Sequence, residues 1–143
     1  MIAGGYTHVE HAGDAGLHVQ ASSLEALFDQ AARGLLDLIC DPRSVRAERE
    51  RAIALEAGSL EELMVSWLNE LLFLLETEEL LLGRFELRVE AGSESANLRA
   101  SAHGEQLDPN RHVVRTCVKA ATYHGVRVAQ RDGAWRAEIV LDL

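Results

Sequence analysis

Apolar residues recur along this chain with two periods, and the switches between them mark out its elements. Leu24, Leu27, Phe28, Ala31, Leu35 and Leu38 form one stripe, while Glu25, Asp29, Arg33 and Asp37 lie off it. That is the spacing of a helix with one buried face. Ser22 and Glu25 stand at capping-box spacing at its head. Asp41-Pro42 closes it, because the residue before a proline avoids the helical region. The next helical pattern is stronger. Ser59 and Glu62 repeat the capping-box spacing ahead of Leu60, Leu63, Met64, Trp67, Leu68, Leu71 and Leu72. A stripe of this kind reads as core rather than as a cofactor box.

Between and beyond the helices the period falls to two. Tyr6 to Glu10 suits a short strand, His11 to Gly16 is turn-prone, and Leu17, Val19 and Ala21 alternate with His18 and Gln20. Ile53, Leu55 and Ala57 alternate again. Past Leu82, Phe85, Leu87 and Val89 predict a strand, Gly92-Ser93 a turn, and Leu98, Ala100 and Ala102 the returning partner. Val126 and Val128 lead to Asp132-Gly133, a type I′ hairpin signal, and Trp135 to Leu141 returns from it. The stretch from Asp108 to Tyr123 fits a strand and a helical turn equally. No repeat or Pro/Gly/Ser-rich linker divides the sequence. The pattern therefore predicts one α+β domain over residues 1–143, with two amphipathic helices packed on a mixed, largely antiparallel β-sheet.

At 143 residues the chain can bury a substantial core. It has no apolar run long enough to span a bilayer, and Met1 to Gly5 lacks the basic start and apolar stretch of a signal peptide. Cys40 and Cys117 are far apart and in no CxxC pair, which argues against a disulfide framework or a cysteine zinc site. The expected setting is the cytoplasm, without a membrane. A net charge of −9 disfavours direct binding to phosphate backbones and favours cations or a basic partner.

Candidate chemistry gathers at few positions. Ala137 to Leu143 carries apolar residues up to the last position, so this segment is expected to be pinned in a sheet. Asp142 then stands beside the α-carboxylate of Leu143, and oxygen ligands on a rigid element suit a hard cation. An acidic residue on a solvated strand end is the plainer account, unless a second carboxylate is brought there. Asp14 lies between Gly13 and Gly16, where it reads as a turn aspartate or as part of a cation site. An N-terminal strand beside the C-terminal one would bring Asp14 to Asp142. Lys119 interrupts an apolar run; its stem covers apolar surface, or its charge meets a phosphate or a partner carboxylate. The six histidines have no metal-ligand spacing, and each reads as surface or hydrogen-bonded. There is no GxSxG elbow, P-loop or GxGxxG fingerprint, so acyl transfer and nucleotide hydrolysis lack support.

Five segments in order resemble the archease family, accessory proteins of RtcB-type RNA ligases. They are His11-Ala-Gly-Asp14-Ala-Gly16, then Leu60-Glu-Glu-Leu63 running into Trp67-Leu-Asn-Glu-Leu-Leu72, Gly104-Glu105, Val118-Lys-Ala-Ala-Thr-Tyr-His124, and Leu141-Asp142-Leu143. The resemblance implies an α+β fold and a non-enzymatic protein of tRNA splicing that helps the ligase form its guanylate intermediate and turn over repeatedly. It implies a divalent cation (Ca²⁺, Mg²⁺ or Mn²⁺) held by Asp14, Asp142 and Leu143. It also implicates Lys119, with His11 and His124 as further partner- or nucleotide-facing residues. RNA and GTP would be met only through the ligase. The chain departs from the family where Ala12-Gly13 replaces the usual Thr-Ala, where Ala121 replaces valine, and where Leu143 replaces isoleucine. The first of these removes a hydroxyl next to the cation site. Two rivals stand beside this reading: a small metal-dependent phosphoesterase using Asp14 and Asp142, and a chaperone-like module using apolar surface around Phe73 to Leu75.

Overall fold

The computed structural model describes residues 4–143, and of His11 the backbone only. Strand β1 (Gly5–His11) turns through Ala12 and Gly13 into β2 (Asp14–Ala21). Gly13 takes φ +83°, a value that favours glycine. The turn-prone stretch thus contains only two turn residues, and Asp14 is the first residue of a strand rather than a loop aspartate. Helix α1 (Leu24–Ile39) and a 3₁₀ turn (Pro42–Ser44) precede β3 (Arg49–Ala57). Helix α2 (Leu60–Glu78) is followed by β4 (Leu80–Ala91), β5 (Ala96–Gln106), β6 (Ala120–Arg131) and β7 (Ala134–Asp142).

The α+β class and both helices are as expected, but the strands form two sheets rather than one. One sheet has the order β1-β2-β7-β6 and the other β3-β5-β4. Every pairing among the described residues is antiparallel, so the expected mixed character is not seen. Each helix packs against both sheets: α1 on β2 and β4, α2 on β6, β4 and β3. That arrangement explains why the buried surface of each helix is wider than a single stripe. Ala32, Leu36 and Ile39 of α1 are buried alongside Leu27, Phe28 and Leu35. Trp67 is fully buried, edge-on to Phe85, and its indole N–H donates to the Phe28 carbonyl at 3.0 Å.

The caps correct one detail and confirm another. Ser23, not Ser22, caps α1, its hydroxyl accepting from the Ala26 N–H at 3.1 Å. Glu25 is then free to accept the Val89 N–H, tying α1 to β4. At α2 Ser59 accepts from the Glu62 N–H, while the Glu62 carboxylate reaches back to the Gly58 N–H. Asp132 and Gly133 both take positive φ, as the type I′ turn of the β6–β7 hairpin requires. Most of the undecided stretch is neither helix nor ladder: residues 112–119 run irregularly between the two sheets, and only its end, from Ala120, is strand, where β6 begins.

Candidate functional site

The order β1-β2-β7-β6 places the first hairpin against the last strand, with a direct consequence for the candidate acids. Register pairs Asp14 with Asp142 across β2 and β7. On the flanking strands, His11 pairs with Asp14 and Ala120 with Asp142. One row thus crosses all four strands at one end of the sheet. Directly paired residues of an antiparallel ladder share a face. The next pair, Ala15 and Leu141, is fully buried, so the two aspartates lie on the face turned away from the core.

Backbone hydrogen bonds fix this corner. The Lys119 N–H donates to the Asp142 carbonyl at 2.8 Å, and the Leu143 N–H to the Gly13 carbonyl at 3.1 Å. Asp14, Asp142, Leu143 and Lys119 are therefore brought together. Asp142 is exposed and Asp14 half-buried. Among the described residues one Asp14 oxygen, Oδ1, is buried without a hydrogen-bond partner. A buried carboxylate oxygen left unpaired is costly, and such atoms are uncommon in folded proteins. Two like charges in register add repulsion. A bound cation would relieve both costs. The donor chemistry fits a hard divalent ion: two carboxylates, with the Leu143 carboxylate as the third source of oxygen. Among the described residues no group of three His, Cys, Asp or Glu side chains gathers to hold a metal, so the phosphoesterase reading gains no further ligand here.

Lys119 is exposed, and its backbone is tied to Asp142 at this corner. It is the only lysine in the chain, against thirteen arginines. Six of those arginines form ion pairs with carboxylates, whereas the Lys119 ammonium has no partner among the described residues. A count of basic residue types would have singled it out from sequence. His124 is not part of the row. It lies on an outward bulge where register slips between Thr122 and Arg127, beside exposed Tyr123 and Gly125 at φ +64°. The His11 side chain lies outside the described residues.

One arrangement is not readable from spacing. Glu105 and His112 are buried side by side, and Arg111 closes over them. The Glu105 carboxylate accepts from the Arg46 N–H at 2.6 Å, from the Arg111 guanidinium, and from His112 Nε2 at 3.1 Å. The Asp108 N–H donates to His112 Nδ1 at 2.9 Å, which leaves the ring proton on Nε2, facing Glu105. Burial opposes ionisation of Glu105. The hydrogen bonds from Arg111, Arg46 and His112 outweigh it and hold the carboxyl down at about 2. This cluster fastens the start of the irregular segment. Its middle is held by the Arg115 N–H to the Ile39 carbonyl and by the Arg115 side chain to Asp37, and its end by the Lys119 N–H.

A pH dependence follows. Glu105 ionises more easily folded than unfolded, so its stabilisation is complete above the ordinary carboxyl value of 4.5 and fades as pH falls toward about 2. It amounts to on the order of 3 kcal/mol. Chemical denaturation between pH 7 and pH 2 should show this loss. Glu105→Gln should be less stable at pH 7 and lose less than the parent on acidification. An unchanged acid profile in the variant would mean that Glu105 is not the group whose titration destabilises the fold.

The comparisons with known proteins agree with the fold. The family model described as the Archease protein family matches residues 6–143. The chain is 41% identical to the archease of Methanopyrus kandleri over 96% of its own length and 99% of that protein. It is 35% identical to the archease of Aeropyrum pernix over the full length of both. The solution structure of protein 1598 of Methanobacterium thermoautotrophicum superposes with a TM-score of 0.84 at 29% identity, covering 97% of this chain and 99% of that one. A Thermotoga maritima archease, described as a possible chaperone, shares the fold at a TM-score of 0.58 and 16% identity, over 94% of each chain.

Proposed function

The chain belongs to the archease family, and from that membership we propose that it is an accessory protein promoting guanylylation and repeated turnover of an RtcB-type RNA ligase through a divalent cation. The observation that carries this reading is the in-register pairing of Asp14 and Asp142, with one Asp14 oxygen buried and unpartnered among the described residues.

Asp14 and Asp142, with the Leu143 carboxylate, would hold the ion. A bound divalent cation supplies charge stabilisation at a nucleotide phosphate. The remaining work belongs to the chain. The sheet keeps the carboxylates rigidly placed, because their backbones are tied into the β2–β7 ladder and to Gly13 and Lys119. Lys119, whose backbone N–H is tied to the Asp142 carbonyl, offers an exposed positive charge at the same end of the sheet, unpaired among the described residues. Guanylate transfer builds negative charge on phosphate oxygens, and a cation with a lysine next to it answers that need. The acidic surface of the chain suits docking on a ligase whose RNA channel is basic. RNA and GTP are contacted through the ligase, and the chain itself performs no chemistry.

Lys119 separates this role from a structural one. Lys119→Ala should impair stimulation of ligase guanylylation by about tenfold or more, at unchanged melting temperature and cation affinity. Lys119→Glu should be worse, and Lys119→Arg should retain part of the activity because charge survives while donor geometry changes. Thermal melts, calorimetry with Ca²⁺ or Mn²⁺, and guanylylation assays on the same preparations decide the matter. A destabilised but fully stimulatory Lys119→Ala would assign the side chain to packing.

A further inference from the structure

Few large apolar side chains are exposed among the described residues: Val9, Phe73, Val113, Val114 and Tyr123. Four of these five lie around the β5–β6 connection and the helix against it. Val114 lines a groove of about 490 Å³ floored by Ile39, Leu72, Leu75, Leu81, Leu107 and Val118. Phe73, more than half exposed, follows Leu72 on α2. Tyr123 lies two residues past Ala121, whose backbone is clamped by the Asn69 side chain one turn before Phe73.

The charges of the groove are as informative as its apolar floor. Lys119 lines it on the β6 side, and Glu76 and Glu79 line it at the end of α2. None of the three is paired among the described residues. An apolar trough with unpaired charges of opposite sign on its two sides is complementary to a segment carrying an apolar anchor between a basic and an acidic residue. The groove wall also includes the irregular segment, whose exposed Val114 side chain would lose water on docking.

We propose that this groove is a docking site for a protein segment with an apolar anchor, a basic residue facing Glu76 and Glu79, and a carboxylate facing Lys119. It rests on the accessory reading, in which that segment belongs to the RtcB-type ligase. Docking here would bring the partner to the side of the molecule where Lys119 begins the Asp14–Asp142 corner.

Cys117 lines the groove and is exposed, whereas Cys40 is fully buried, so the chain carries its own reporter. The experiment measures the rate of Cys117 alkylation by iodoacetamide on the full chain, alone and with saturating RtcB-type ligase, with sedimentation to register the complex. Protection of about tenfold or more is expected in the complex. Val114→Asp and Glu76→Lys both alter exposed side chains, and melting curves check their folding. Each should weaken ligase binding by about tenfold, the scale of an interface anchor. A complex that forms while Cys117 reacts at its free rate overturns the groove and leaves the accessory reading standing. No complex at all overturns both. Self-association of the chain that protects Cys117 and is broken by Val114→Asp would make a second copy the occupant and overturn the proposal.

Discussion

Asp14→Ala is expected to lower divalent-cation affinity by about 100-fold or more and to remove stimulation of the ligase, while leaving the cation-free fold intact. Losing a carboxylate ligand should exceed the ten- to hundredfold effects of changing groups that merely orient ligands. Asp142→Ala should do the same, and the double variant should lose little more than either single one, because both residues serve one site. Calorimetry with Ca²⁺ and Mn²⁺ reads all three, and two additive losses would mean two independent sites. The stability of the cation-free variant gives a second readout. Asp14 Oδ1 is buried and unpartnered among the described residues, so removing it relieves a cost of about 1–3 kcal/mol and should leave the melting temperature level or raised. A structural aspartate would behave in the opposite way. Extending the chain beyond Leu143 by a short tag moves the carboxylate while keeping the leucine, and should weaken the cation without altering the fold.

Gly104→Ala is expected to cost more than about 4 kcal/mol, enough to leave most of the chain unfolded at moderate temperature. A Cβ at Gly104 would stand 1.7 Å from the Leu81 carbonyl oxygen and 2.8 Å from Leu82 Cα. These are backbone atoms of the paired strand, at the point where β4 register shifts between Leu82 and Arg84. No side-chain rotation can relieve the overlap, so the sheet itself must open. Glu105 is the next residue, and its bonds to Arg46, Arg111 and His112 would be displaced with it. Gly16→Ala is the contrast, because its nearest neighbours would lie at ordinary van der Waals distance, 3.5 Å and beyond. Urea denaturation of the two variants should separate them clearly, and equal stability would mean that the β4–β5 bulge adapts.

The sequence made the helices and most strands legible because their apolar positions repeat with a fixed period. Leu27, Phe28, Leu63, Trp67 and Leu68 are all essentially buried, as their stripes require. The division into two sheets was not legible. Strand alternation says which face of a strand is buried, but not which strands share a ladder. The acidic corner was half legible. Asp142 sits on a recognisable strand, yet only the order β1-β2-β7-β6 brings Asp14 to it. Asp14 looked like a loop residue because Gly13 and Gly16 flank it, whereas the turn needs only Gly13. The irregular run before Ala120 resisted reading for a physical reason. Val114 and Val118 serve a groove wall, and its polar residues anchor to Glu105, Ile39 and Asp37, so no single period governs it. The bulge carrying His124 likewise leaves no periodic trace, although Gly125 marks its positive φ.

As proposed, the Asp14–Asp142 corner equips this chain to activate an RNA ligase. The most direct test follows guanylylation and product turnover of an RtcB-type ligase with GTP, divalent cation and RNA, with the chain added below the ligase concentration. The ligase should pass from a few rounds to many. Asp14→Ala should abolish that gain and Lys119→Ala should reduce it. Ligase turnover that is the same with and without the chain, or that is stimulated equally by Asp14→Ala, would contradict the proposed role of the corner.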